Sequence, residues 1–291
     1  MSILVDRDTR VVVQGITGRH GTTYTRVMLD SGTDVVAGVT PGKRGADVHG
    51  VPVFDTVREA VEQSGANASV VFVPPAHCRD ALYEAIDAQL GVIACVTDGL
   101  PVQDVMLVKR RLQGGRTVLV GPNCPGLITP REASLGIMPF RCFTPGPVGV
   151  VTRSGTLTYQ TAAQLSERGI GQSTCLGIGG DPIVGLSFVE ALVHFETDPA
   201  TKLVVLVGEI GGTQEERAAE LIARSVSKPV VAFVAGKTAP AGKPMGHAGA
   251  IVLGHEGSYE SKLAAFERAN VPLARLVTDI VPLVERQLGS R

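Results

Sequence analysis

Short apolar runs rich in Val and Ala recur along the chain, separated by stretches whose apolar positions follow helical spacing. Residues 10–14, 35–39, 69–73, 92–96 and 117–120 centre on short Val-rich runs that do not alternate, as in parallel strands buried on both faces. Between them, 56–62, 77–88 and 103–112 read as amphipathic helices. A second series follows, with strands at 148–152, 174–178, 203–207, 230–234 and 273–277. Helices are expected over 156–168, 185–194, 214–224, 258–269 and 279–287. Two such βα series predict an α/β chain of two doubly wound domains. Pro- and Gly-rich sequence from Gly121 to Pro147 lies between them. The expected division is therefore a first domain over 1–122, a connecting segment over 123–147 and a second domain over 148–291.

Composition narrows the partners. Of the 291 residues, 35 are Gly and 18 Pro, with no Trp and only 4% aromatic residues, which suits tight βα turns better than an aromatic-rich β sandwich. A formal net charge of −1 gives no broad basic field for nucleic acid or an anionic membrane. A polyanionic ligand would therefore need a local site. The five cysteines, Cys78, Cys95, Cys124, Cys142 and Cys175, show neither CxxC nor zinc spacing and read as buried free thiols in a reducing compartment. No metal site is expected. Asp6 and Arg7 interrupt the N-terminal stretch before any signal-like apolar segment, and no run approaches the roughly 18 apolar residues of a membrane span. A cytoplasmic location is expected.

After the first strand comes Gly15-Ile16-Thr17-Gly18-Arg19-His20-Gly21, with a helix expected from Thr22. Glycines let the backbone approach a pyrophosphate, and the following helix offers unpaired N–H groups and a favourable dipole. The spacing is G-x-x-G-x-x-G rather than G-x-G-x-x-G, so a tight structural turn is an alternative. The second strand runs into Thr40-Pro41-Gly42-Lys43-Arg44, where an NAD-binding domain would place an acid. Cations there fit a phosphorylated ribose, unless they are only solvated loop charges. The two loops favour a phosphorylated adenine nucleotide and leave CoA and NADP both open.

The second series carries a histidine among small residues, Pro244-Met245-Gly246-His247-Ala248-Gly249-Ala250. Nothing bulky flanks the imidazole, and a neutral imidazole is a competent nucleophile near pH 7. Glu209 ends the strand at 203–207 and could orient one ring nitrogen, although an N-cap or a salt bridge would also account for it. The turn Arg153-Ser154-Gly155-Thr156 opens a helix whose N-terminus could bind phosphate or simply be capped. No G-x-x-x-x-G-K-[ST] loop or acidic cluster suited to a magnesium nucleotide occurs. A nucleotide donor would then sit on another chain.

The ordered segments Gly121-Pro122-Asn123-Cys124-Pro125-Gly126, Arg153-Ser154-Gly155-Thr156-Leu157-Thr158-Tyr159, Gly177-Ile178-Gly179-Gly180-Asp181-Pro182, Gly208-Glu209-Ile210-Gly211-Gly212 and Met245–Ala250 resemble the alpha-subunit family of succinyl-CoA synthetases. The resemblance implies a Rossmann-like CoA-binding domain followed by a flavodoxin-like ligase domain. It also implies an ATP-grasp beta subunit holding NTP and magnesium, in a heterodimer or a dimer of heterodimers. Phosphoryl transfer to His247, then to succinate, and displacement of phosphate by CoA would follow. By the same resemblance Thr17, Gly18, Arg19, His20, Lys43, Val96, Thr97 and Asp98 would contact CoA. Tyr159 would lie at the substrate site and Glu209 would orient His247. Ser154, Gly155 and Thr156 would face the phosphohistidine. Arg19-His20, 97–101, 139–143 and 255–259 depart from the family pattern, which leaves room for a malate-specific paralogue. A CoA- or NADP-binding regulatory module is the alternative of a different class, and an NADP oxidoreductase a third.

Overall fold

A computed structural model describes residues 3–240, 242–243, 245–252 and 256–289. Met1, Ser2, Ala241, Pro244, Leu253, Gly254, His255, Ser290 and Arg291 lie outside these residues. The chain forms two compact units. One comprises Leu4–Phe140 and Ile183–Gly185; the other comprises Met1–Ile3, Arg141–Pro182 and Leu186–Arg291.

In the first unit, β1 (Arg10–Gln14), β2 (Asp34–Val39), β3 (Asp47–Val48), β4 (Val51–Phe54), β5 (Ala68–Val71), β6 (Val92–Cys95) and β7 (Val118–Val120) lie in the order β3-β4-β2-β1-β5-β6-β7. All neighbours are parallel except β3 and β4. Without the short edge strand β3, this is the 3-2-1-4-5-6 order of a Rossmann sheet, which switches direction at β1. The strands are buried because their Val, Ile and Ala side chains serve both faces: Val12, Val70, Ile93 and Ala94 are fully enclosed. Helices α1 (Arg19–Asp30), α2 (Val57–Ser64), α3 (Pro75–Asp87) and α4 (Val102–Leu112) complete the layers.

One expectation needs correction here, and two stretches hold elements that the sequence pattern did not register. Helix α1 begins at Arg19, not Thr22, because Gly18 already has the extended backbone of an N-cap. Residues 47–54 supply β3 and β4, which are too short for a periodicity to register. The segment 123–147 is also more than a connection. It contains an antiparallel hairpin of β8 (Gly126–Thr129) and β9 (Ala133–Gly136). Gly126 has φ 95°, and a Cβ there would stand 1.8 Å from the Leu135 carbonyl oxygen. The glycines that read as a linker are what let the two backbones approach.

In the second unit, β10 (Pro145–Thr152), β11 (Gln172–Gly177), β12 (Leu203–Glu209), β13 (Val230–Ala235) and β14 (Leu273–Ala274) run in the order β14-β13-β12-β10-β11. Each is parallel to its neighbour. This is the flavodoxin-like 2-1-3-4-5 order, with its switch between β10 and β12. Helices α5 (Gly155–Glu167), α6 (Phe188–Thr197), α7 (Gln214–Ser225), α8 (Tyr259–Arg268) and α9 (Ile280–Gly289) alternate with the strands. Helix α6 starts three residues later than its apolar pattern predicts. Ser187 and Glu190 form a capping box that fixes the start. Strand β14 ends at Ala274, short of the expected 277, and Val277 begins a turn of 3₁₀ helix.

Candidate active site

The carboxyl ends of β10, β11 and β12 bring the second unit's chemistry together. His247 Nδ1 lies 2.7 Å from Glu209 Oε2. A carboxylate oxygen can only accept here, so Nδ1 donates its proton and Nε2 is left unprotonated in the neutral ring. The His247 side chain retains 25% of its exposure, while that of Glu209 retains 9%. The ring is thus reachable and its orienting carboxylate is not. The hydrogen bond to Glu209 raises the histidine's pKa above its ordinary value of 6.5, against an opposing contribution from burial. Arg153 acts to lower it and Asp181 to raise it.

The loop carrying His247 is short of side chains for a packing reason. Gly249 N–H donates to the Gly180 carbonyl at 3.0 Å, and Ala250 N–H donates to the His247 carbonyl at 3.0 Å. These bonds lay the imidazole directly on Gly180. A Cβ at Gly180 would come within 2.3 Å of His247 Cγ. The Gly-Gly-Asp after β11 therefore forms the floor beneath the ring.

Behind Glu209 lies a set of charges that the sequence reading missed. Arg153, the residue after β10, places Nε 3.3 Å from Glu209 Oε1, an ion-pair contact without hydrogen-bond alignment. Its Nη1 donates to the Gly211 carbonyl at 3.2 Å and lies 3.6 Å from Glu215 Oε1. Glu215 accepts from the Glu209 backbone N–H at 3.1 Å. Lys262 of α8 lies 2.6 Å from Glu215 and 2.8 Å from Glu216. Arg153 is the one member with a sequence signal: an arginine ending an apolar strand needs a buried partner.

Ser154 is the N-cap of α5, its hydroxyl accepting from Leu157 N–H at 3.4 Å. Gly155 and Thr156 are the first two residues of that helix, where N–H groups have no partner inside the helix. Tyr159, one turn on, is half-buried, with the Phe143 ring edge-on at 6.5 Å. Among the described residues, no group of three His, Cys, Asp or Glu is placed to hold a metal.

In the first unit, the glycine loop leaves β1 and closes tightly on itself. Gly15 has φ 80°, and a Cβ at Gly21 would lie 2.1 Å from the Gly15 carbonyl oxygen. Thr17 Oγ1 donates to Thr40 Oγ1 at 3.1 Å, tying this loop to the end of β2. No side chain caps α1 at Gly18. Arg19 and His20 stand exposed in its first turn. A cavity of about 410 Å³ opens here, lined by His20, Tyr24, Phe72, Val96, Thr97 and Asp98 among others. Tyr24 and Phe72 stack at 5.8 Å, making one aromatic wall. Thr97 is fixed by donating to the Val73 carbonyl at 2.7 Å.

Thr17, Gly18 and Arg19 lie on the approach to α1, and exposed Lys43 on the neighbouring loop. That loop is organised by Asp55, a residue the sequence reading did not single out. Its Oδ1 accepts from the backbone N–H groups of Gly42, Lys43 and Arg44 at 2.7, 3.2 and 3.2 Å. Arg44 turns away to pair with Glu59.

The family of the CoA binding domain matches residues 6–99, and that of the CoA-ligase matches residues 151–271. Subunit alpha 1 of the ADP-forming succinate–CoA ligase of Archaeoglobus fulgidus is 54% identical over 288 residues, 99% of each chain. The chain belongs to the succinate–CoA ligase alpha-subunit family. The alpha subunit of Aquifex aeolicus agrees at 53% identity over 92% of this chain and 89% of its own. As a member of this family the chain is a subunit of a CoA ligase, with a CoA-binding domain and a partner subunit. Its fold also matches the ATP citrate lyase of Methanothrix soehngenii, solved with citrate and coenzyme A. The TM-score is 0.89 at 23% identity, over 98% of this chain and 50% of that one. No helix among the described residues is long and apolar enough to cross a membrane.

Proposed function

We propose that this succinate–CoA ligase alpha subunit carries a phosphoryl group on His247 between an NTP and succinate. The observation behind this reading is the 2.7 Å bond from His247 Nδ1 to Glu209, which leaves Nε2 to attack. In the first step Nε2 displaces NDP from the γ-phosphorus. A succinate carboxylate oxygen then attacks that phosphorus and the P–N bond breaks, giving succinyl phosphate. Finally the CoA thiolate attacks the acyl carbon and inorganic phosphate leaves. Gly155 and Thr156 N–H, at the positive end of α5, are suited to a phosphoryl group, and Tyr159 to the acid. Thr17, Gly18, Arg19, His20, Lys43 and 96–98 are assigned to CoA, with Lys43 serving a ribose phosphate.

The nucleotide and magnesium are assigned to an ATP-grasp partner subunit, in a heterodimer or a dimer of heterodimers. The relatives named above are ADP-forming, so ATP is the donor proposed here. The residue divisions 1–122, 123–147 and 148–291 are proposed as functional regions, and the enzyme is assigned to the cytoplasm. Incubation of the assembled enzyme with γ-labelled ATP should give acid-labile, base-stable label that is absent from His247→Ala. Label persisting in that variant, or never forming, would overturn the mechanism. A kcat/KM preference for malate would overturn the choice of succinate.

A further inference from the structure

Arg153 stands between two carboxylates that compete for it. Its Nε is 3.3 Å from Glu209 and its Nη1 is 3.6 Å from Glu215. Side-chain exposure is 3% for Arg153 and zero for both Glu215 and Lys262, so water cannot share these charges. In such surroundings an arginine moves toward whichever carboxylate lacks another cation. Glu215 has one, because Lys262 Nζ sits 2.6 Å from its Oε2. Lys262 is held there by further bonds to Glu216 Oε2 at 2.8 Å and to the Gly212 carbonyl at 2.9 Å. Ser261 closes the set by donating to Glu216 Oε1 at 2.7 Å.

We propose that Lys262 is a positioning residue for the histidine: by neutralising Glu215 it leaves Arg153 to Glu209, and so fixes the carboxylate that holds His247 Nδ1. The inference rests on His247 being the reacting group, and Lys262 itself touches neither His247 nor a substrate. With neutral His247, the buried Arg153, Lys262, Glu209 and Glu215 together with half-buried Glu216 make two cations and three carboxylates, a balance of −1. Asp181, after β11, is a further acid whose charge acts on the ring and raises its pKa. A proton on His247 would relieve this excess, and Arg153 beside Glu209 opposes it. Without Lys262, Glu215 draws Arg153 away and Glu209 faces the imidazole alone. The ring then keeps its proton to higher pH, and a protonated ring cannot attack phosphorus.

The test uses Lys262→Met and the neutral exchange Lys262→Met/Glu215→Gln, each in the assembled enzyme with ¹⁵N-labelled histidine. The His247 titration midpoint is followed by NMR, and the rate of labelling from γ-labelled ATP is measured across pH. Lys262→Met should move the midpoint up by about one pH unit, lowering the neutral fraction on the acid side about tenfold. Labelling should slow by the same factor at low pH and return to the native rate at high pH. The double variant, which removes the competitor with the cation, should return both toward native values. An unchanged or lowered midpoint in folded Lys262→Met would overturn the proposal. So would a double variant no nearer the native midpoint than the single one. Should Lys262→Met not fold, the Arg153→Lys variant decides: a shorter cation that leaves Glu209 must raise the midpoint, and an unmoved midpoint overturns the proposal. The NMR midpoint is read without phosphorylation. If native enzyme takes no label while the midpoint still moves as described, the carrier reading fails and the role of Lys262 holds.

Discussion

His247 Nδ1 and Glu209 Oε2 are 2.7 Å apart, and this bond sets which ring nitrogen is left facing outward. The bond fixes a proton on Nδ1, presents Nε2 outward, and raises the ring's pKa above 6.5. The nucleophilic fraction therefore grows as pH rises through a midpoint above that value. Glu209→Gln should bring the midpoint down and slow phosphorylation of His247 on the order of 100-fold through lost orientation. A pH profile of labelling checks both.

The same shift has a stability consequence with a definite sign. A histidine whose folded pKa is raised adds stability that is fully present below its unfolded pKa and fades as pH rises through the folded value. Glu209→Gln should therefore lose more thermal stability, relative to native, at pH 5.5 than at pH 8.5. Paired melts at about these two values test it.

Gly180 gives a steric prediction. A methyl group there would meet His247 Cγ at 2.3 Å, inside any tolerable contact. Gly180→Ala should push the imidazole off Glu209 and reduce labelling by at least about tenfold. A loop can yield more easily than a packed core, so the accompanying loss should be about 1–3 kcal/mol. Single-turnover labelling and a denaturant melt separate the two effects.

Asp55 tests the CoA side independently. Its Oδ1 gathers three backbone N–H groups of the loop carrying Lys43. Asp55→Ala should free that loop and raise the Kd for CoA about tenfold, the loss of about 1.4 kcal/mol of ordering. Labelling of His247 should be unchanged, because the proposed transfer to His247 does not use CoA. Calorimetry with CoA beside the labelling assay distinguishes them.

Gly21→Ala addresses the glycine loop itself. A Cβ would stand 2.1 Å from the Gly15 carbonyl oxygen, a backbone atom that cannot swing aside. The loop must open, and CoA binding should weaken by at least about tenfold with His247 labelling retained.

Much of the architecture could be read from hydrophobic runs because parallel strands buried on both faces must be apolar at every position. Val11, Val12 and Val13 of β1 and Val204, Val205 and Leu206 of β12 show it directly. The strand β3 and the hairpin of β8 and β9 escaped that reading. Two residues carry no period, and Gly126 and Gly136 look like linker until the partner backbone they admit is known. Glu209 was legible as an acid at a strand end, yet nothing in its neighbours told an orienting group from a cap.

By itself the sequence determined the two βα series, the glycine loop, the histidine among small residues and, through its ordered motifs, the family. These are properties of local pattern, set by periodicity and by which residues a turn admits. Tertiary structure alone decided the rest. It placed Glu209 on Nδ1, laid Gly180 under the ring, and joined Arg153, Glu215 and Lys262 behind them. Residues 153, 215 and 262 are far apart along the chain, and only the folded sheet with its helices brings their charges into one dry enclosure. There the Coulomb interaction is strong enough to govern a proton on His247.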